Sequence, residues 1–376
     1  SIRRKVMKSE NRAPTPVEMD EMKRLVDRAM RDGAWGMSTG LIYVPGIFAQ
    51  TDELVEVAKV VASHGGVYAS HIRDEADDLL AALDEAIEIG RRASVPVHIA
   101  HFKSCGKPNW GRLRDAVERI EKARAEGVVV TVDQYPYVAT STSLVDTLMR
   151  ATLIPGGRAK LFERMDADPA LEQAVRKVIA DRLATTRKVV IASSKKHPEA
   201  VGKSLRQIAA EKDCDVIDLV LQIQRDGGAS VVNFTIAEED ARYAMTVPWV
   251  ATASDGSARF PDPKACPHPR NFGTFPRKIG HYALKEKVLP LAQAIRSATG
   301  LPADILGMSD RGYLRPGATA DVVVFDPKTF IDRATFEKPQ QYSTGVRYLF
   351  VAGKPTLEEG KSTGGLHGRA LRHKRG

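Results

Sequence analysis

His71 and His101 stand thirty positions apart, and each closes a short apolar run, VYASH and VPVHIAH. Thirty residues is about one strand–helix–strand pitch. Two imidazoles at matched strand ends therefore fall on neighbouring parallel strands at one mouth of the fold, where both can reach a divalent ion. Asp255 ends a later run of the same kind, VPWVATASD. A carboxylate beside such an ion can take a proton from water and pass it to a leaving amine. A single strand-end histidine is more often a hydrogen-bonded structural residue. The matched pair with an acid at a third strand end reverses that preference and points to metal-assisted hydrolysis.

Other chemistries lack their residues. The three cysteines, Cys105, Cys214 and Cys266, are far apart with no CxxC, which excludes a thiolate zinc finger or a disulfide scaffold. The Ser/Thr run after Tyr137 has no GxSxG elbow, and SCGKPNWG lacks phosphate-loop spacing. The net charge of +9 owes a good share to the tail over 367–376, and aromatic residues make up only 6%, so nucleic-acid binding is not expected. No apolar stretch reaches the ~18 residues of a membrane helix. His98 faces away from His101 by strand parity and reads as packing, His64 as a helix-end cation, and His268 as a loop residue.

The elements that must hold these groups alternate. A helix over 15–32 opens with a Thr–Pro–x–Glu capping box and ends at Gly33. Strands are expected at 34–38, 67–71, 95–101 and 128–134, separated by helices over 51–63, 76–93 and 110–125. Further strands read at 188–193, 230–236 and 247–254, with helices over 203–211, 216–225 and 284–299. Runs at 320–325 and 346–351, flanked by turn signals, read as a small β module. The fold class is α/β. Six or seven barrel strands fall short of the eight of a (β/α)₈ barrel, and two terminal strands make a marginal sheet, so both deficits predict further strands upstream of Ser1. The expected organisation is an incomplete hydrolase barrel over 1–300, with an inserted segment at about 150–245, and a C-terminal β portion with a basic tail over 301–376.

Seven collinear blocks make the reading more specific: GAWGMSTGLIYVPG, GVYASHIRDE, HIAHFKSCGKPNWG, VDQYPYVATSTSL, ASDG, HPRNFGTFPRKIG and RGYLRPGATADVVVFDP. Together they resemble the N-acyl-D-amino-acid deacylases, the D-aminoacylase branch of the amidohydrolase superfamily. That resemblance implies a (β/α)₈ TIM-type barrel with a small β-sandwich, and one or two zinc ions. It implies hydrolysis of a small-molecule N-acyl-D-amino acid to a D-amino acid and a carboxylate. Residue by residue, it implies zinc ligands at His71 and His101, a catalytic aspartate at Asp255, and substrate-carboxylate contacts at Lys103, Tyr135, Ser141 and Arg270. The family's His-x-His pair and metal-binding cysteine have no counterpart here, so the remaining ligands are expected upstream of Ser1. Two alternatives stand beside this reading: a cyclic-amide hydrolase of the dihydroorotase or hydantoinase kind, and a non-catalytic ligand-binding remnant. A cytoplasmic location is the expectation.

Overall fold

The computed structural model describes residues 1–149 and 157–373. The helix Pro16–Arg31 carries the full capping box: Thr15 Oγ1 accepts from the Glu18 N–H at 3.3 Å, and Glu18 Oε2 accepts from the Thr15 N–H at 2.7 Å. Its Met22, Val26 and Met30 are buried at helical spacing. Gly33 follows at φ +95°, a left-handed position that favours glycine.

Strands and helices then alternate. β1 (Gly36–Gly40), β2 (Val67–His71), β3 (Val97–Ile99) and β4 (Val130–Gln134) pair in parallel in that order. Between them run the helices Thr51–Ala62, Leu79–Ala93 and Leu113–Ala125. The three helices cover the sheet with Ala58, Val61, Leu83, Ile89, Ala116 and Ile120, which meet Tyr68, Val97, Ile99, Val130 and Val132 in one buried cluster. Each such Val, Leu or Ile contributes about 1.5–3 kcal/mol on burial, which makes this cluster the base on which the strand ends are held. At Gly36 a Cβ would stand 1.9 Å from the Val67 carbonyl oxygen, so β1 approaches β2 closely only because this residue has no side chain.

Three further strands form a separate sheet. β5 (Ala139–Ser143), β6 (Lys188–Ser193) and β7 (Ser230–Phe234) are antiparallel in the order β5-β7-β6. The chain then returns to the first sheet, where β8 (Val250–Thr252) pairs in parallel with β4 through Val132↔Val250. Two expected barrel strands, at 188–193 and 230–236, therefore belong elsewhere, and the strand at 139–143 went unforeseen. The reason is that apolar periodicity marks a strand but not its partner or direction. Among the described residues the parallel sheet has five strands, with β1 and β8 at its edges, and does not close into the expected barrel.

The segment after β5 holds the helices Arg158–Ala167 and Pro169–Thr185; its residues 150–156 lie outside the described residues. The helix expected over 284–299 is two pieces. A π-helix covers Arg277–Lys285, and an α-helix starts only at Leu291, with Pro290 in an extended conformation as its N-cap. The C-terminal module gathers four antiparallel strands, β9 (Val322–Phe325), β10 (Val346–Val351), β11 (Lys354–Glu358) and β12 (Lys361–Ser362). Its central strand finds partners within the chain through the β10–β11 hairpin, so the argument from too few terminal strands does not hold. No helix of the described residues is long and apolar enough to cross a membrane.

Candidate active site

The carboxyl ends of β2, β3, β4 and β8 open into a cavity of about 1470 Å³. All seven residues singled out in the sequence line it: His71, His101, Lys103, Tyr135, Ser141, Asp255 and Arg270. His71 is the last residue of β2. His101 stands two positions past β3 in a left-handed conformation, φ +42°. Asp133 of β4 holds that turn: Oδ1 accepts the His101 N–H at 2.7 Å, and Oδ2 meets His98 Nε2 at 2.8 Å. His98 is therefore a partner of this support, bonded also to Thr131 Oγ1 at 2.9 Å, and more than packing.

The two histidines converge. His71 Nδ1 and His101 Nε2 are 2.8 Å apart, and the rings meet edge to face with centroids 4.4 Å apart. Burial pushes His71 down to about 4, against the pull of Glu75, so its ring is neutral at pH 7. Its Nε2 is buried without a hydrogen-bond partner among the described residues, since Glu75 Oε2 lies out of reach at 3.9 Å. Glu75 closes the group on the other side. Its Oε1 is 2.9 Å from His101 Nδ1 and 2.5 Å from Lys103 Nζ. Burial acts to raise the Glu75 carboxyl, but Lys103, His71 and His101 together outweigh that and hold it well below the usual range. Lys103 is raised in turn: burial acts to lower it, and Glu75, with smaller contributions from Tyr135 and Cys105, more than offsets that.

Across the cavity, Asp255 also has a left-handed backbone, φ +45°, just beyond β8. Its Oδ2 is 2.8 Å from Arg270 Nη1. Arg270 Nη2 donates to the Ser141 carbonyl at 3.3 Å, and the guanidinium lies over the Tyr135 ring with its carbon 4.7 Å from the centroid. Lys103 Nζ stands 5.8 Å from the same centroid, so two cations share one aromatic ring. Burial pushes the Tyr135 hydroxyl up to about 12 and the Cys105 thiol likewise to about 12, so both stay protonated. Cys105 lines the cavity but supplies no thiolate there.

Two groups that matter here were passed over in the sequence. They are Asp133, at the end of the run VVVTVD, and Glu75, four residues after His71 in SHIRDE. Its place near two strand-end histidines was the available signal. Both cations expected to await a substrate carboxylate are already paired with an acid, Lys103 with Glu75 and Arg270 with Asp255. The physical reason is that a buried cation without a counter-charge is costly.

Residues 249–357 match the amidohydrolase family. The D-aminoacylase of Alcaligenes xylosoxydans xylosoxydans is 37% identical over 371 residues, covering 99% of this chain and 68% of that protein. This chain belongs to the D-aminoacylase branch of the amidohydrolases. The N-acyl-D-glutamate deacylase of the same organism is 35% identical over 353 residues, 94% of this amidohydrolase chain and 64% of that protein. A crystal structure of the N-acyl-D-glutamate deacylase from Bordetella bronchiseptica, complexed with zinc and a phosphonate mimic of the tetrahedral intermediate, matches with a TM-score of 0.83. Its identity is 34%, over 99% of this chain and 69% of that one. The amidohydrolase chain thus spans about two thirds of the length of these relatives.

The donor set suits the divalent metal of such amidohydrolases. Ligand atoms of His71, Glu75 and His101 all lie within 4.8 Å of one another. Imidazole and carboxylate are zinc's ordinary ligands, and the unpartnered His71 Nε2 shows that internal hydrogen bonds leave this cluster unsatisfied. The site residues therefore fit a metal.

Proposed function

We propose that this chain carries the catalytic face of a zinc-dependent deacylase that hydrolyses N-acyl-D-amino acids to a D-amino acid and a carboxylate. The observation that carries the reading is the 2.8 Å approach of His71 Nδ1 to His101 Nε2, in the same cavity as the Asp255–Arg270 pair. His71 and His101 would hold the metal, and a zinc ion there supplies a Lewis acid and an acidified water.

The chain's own residues do the rest. Glu75 Oε1 and Lys103 Nζ both face His101 Nδ1, the ring atom turned away from His71, at 2.9 and 2.8 Å, and so brace that ring's direction from behind as outer-shell groups do. Arg270 and Lys103 flank Tyr135 and receive the substrate's α-carboxylate, Arg270 through its planar fork. Ser141 and Tyr135 shape that end of the cavity. A carboxylate arriving at Arg270 takes over the position of Asp255, whose side chain is 40% exposed and free to turn inward. Asp255 then accepts the proton of the attacking water and gives it to the amide nitrogen. The water oxygen bonds to the acyl carbon as the C–N bond breaks, the acyl group leaves as a carboxylate, and the D-amino acid leaves as an ammonium that has taken up both protons of the water.

The test is to load the purified chain with zinc, measure the metal stoichiometry, and assay N-acetyl-D-amino acids, their L-enantiomers and cyclic amides in parallel. D-selective release of acetate with bound zinc supports the reading. Turnover confined to cyclic amides overturns the substrate class, and bound zinc without any hydrolysis reduces the chain to a ligand-binding protein.

A further inference from the structure

Behind the carboxylate-binding end lies a histidine that touches no reacting group. His268 is 1% exposed. Its Nδ1 accepts the Arg270 N–H at 3.0 Å, and its Nε2 lies 2.9 Å from the Ala139 carbonyl oxygen. Since a backbone N–H can only donate and a carbonyl only accept, the ring is neutral with its proton on Nε2. Burial agrees, holding His268 well below an ordinary imidazole. The rings of Tyr135, Tyr137 and Phe336 enclose it at centroid distances of 5.9, 5.0 and 5.3 Å, which leaves it one orientation.

Both bonds lead to the same place. Ala139 starts β5, the strand that carries Ser141, and Arg270 reaches back to the Ser141 carbonyl. One imidazole thus ties two segments 129 residues apart. A second tie runs through the backbone of the same residue. Asn271 Nδ2 donates to the His268 carbonyl at 2.8 Å, and Asn271 Oδ1 accepts the Ser257 N–H at 2.8 Å, on the loop that carries Asp255.

We infer that His268 is a positioning residue for substrate-carboxylate recognition: a permanently neutral, two-bond strut that sets Arg270 against β5 and the Asp255 loop. The inference rests on the proposed role of Arg270, and its test avoids turnover so that the two can fail separately. The ligands are N-methanesulfonyl-D-leucine, which resists hydrolysis, and N-methanesulfonyl-isopentylamine, the same molecule without the carboxylate. Calorimetry on the zinc-loaded chain gives the ratio of their dissociation constants, the carboxylate discrimination.

His268→Ala is expected to lower that ratio about tenfold, the equivalent of ~1.4 kcal/mol. His268→Asn, whose carboxamide oxygen can still accept from the Arg270 N–H, is expected to recover the ratio to within about threefold of the wild type. If the alanine variant does not fold, His268→Gln, which reaches Ala139 but withdraws the acceptor from Arg270, is expected to lose discrimination where His268→Asn keeps it. A ratio unchanged in every variant, or equal losses for both ligands, overturns the inference. A wild-type chain that does not discriminate overturns it together with the role of Arg270. Discrimination without hydrolysis overturns the deacylase reading and upholds this one.

Discussion

Asp255 Oδ2 and Arg270 Nη1 lie 2.8 Å apart, so the proposed proton carrier and the proposed carboxylate binder neutralise each other. Arg270 is the buried partner at 8% exposure and Asp255 the exposed one at 40%. On the proposed reading an arriving carboxylate competes for Arg270 and releases Asp255. Asp255→Asn keeps the shape and removes the base. Hydrolysis of N-acetyl-D-leucine by the zinc-loaded chain is expected to fall about 10²–10⁴-fold, with KM lowered because Arg270 loses the charge that competes with the substrate carboxylate. Retained kcat would remove Asp255 from proton transfer.

The histidine pair makes a separate prediction that needs no substrate. His71→Ala or His101→Ala is expected to abolish stoichiometric zinc in the dialysed protein, read by atomic absorption. Glu75→Gln, which removes only the carboxylate facing His101 Nδ1, is expected to weaken zinc by roughly 10–100-fold. Equal metal content in the wild type and both alanine variants would place the metal elsewhere.

Glu75 and Lys103 form a buried ion pair, with side chains 13% and 6% exposed. Removing one partner strands the other's charge. Glu75→Gln is expected to cost about 3–5 kcal/mol in urea unfolding, and the double variant Glu75→Gln/Lys103→Met to regain most of it. Additive losses in the double variant would show that the two charges are not coupled.

Lys278 lies in the π-helix, 1% exposed, with no hydrogen-bond partner for its Nζ among the described residues, and burial lowers it from 10.5 to about 7. The unfolded chain keeps that proton up to about pH 10.5, whereas the native chain releases it near pH 7. Stability from this group therefore rises with pH across that window, and the penalty is fully present below it. Lys278→Met is expected to stabilise the protein at pH 7 by on the order of 3 kcal/mol, with the gain shrinking as pH approaches 10. A pH-independent difference between the two melting curves would contradict this.

The elements set by local spacing were the most legible. The capping box at Thr15–Glu18, the strand ends at His71 and His101, and the alternation of strands and helices up to β4 all lie in contiguous stretches whose spacing reflects one local geometry. Legibility dropped where chain neighbours stop being spatial neighbours. β6 and β7 have the same apolar look as β2 and β3, yet they pair antiparallel with β5 in a sheet of their own.

The sequence by itself determined which residues could do chemistry and that the ends of successive strands would present them together, because period and capping act over one or two turns of chain. Tertiary structure alone decided how those residues are paired: Glu75 with Lys103, Asp255 with Arg270, and His268 between Arg270 and Ala139. Such contacts join positions up to 129 residues apart, and they form because a charge or imidazole taken out of water must find its partner wherever the packed chain brings one.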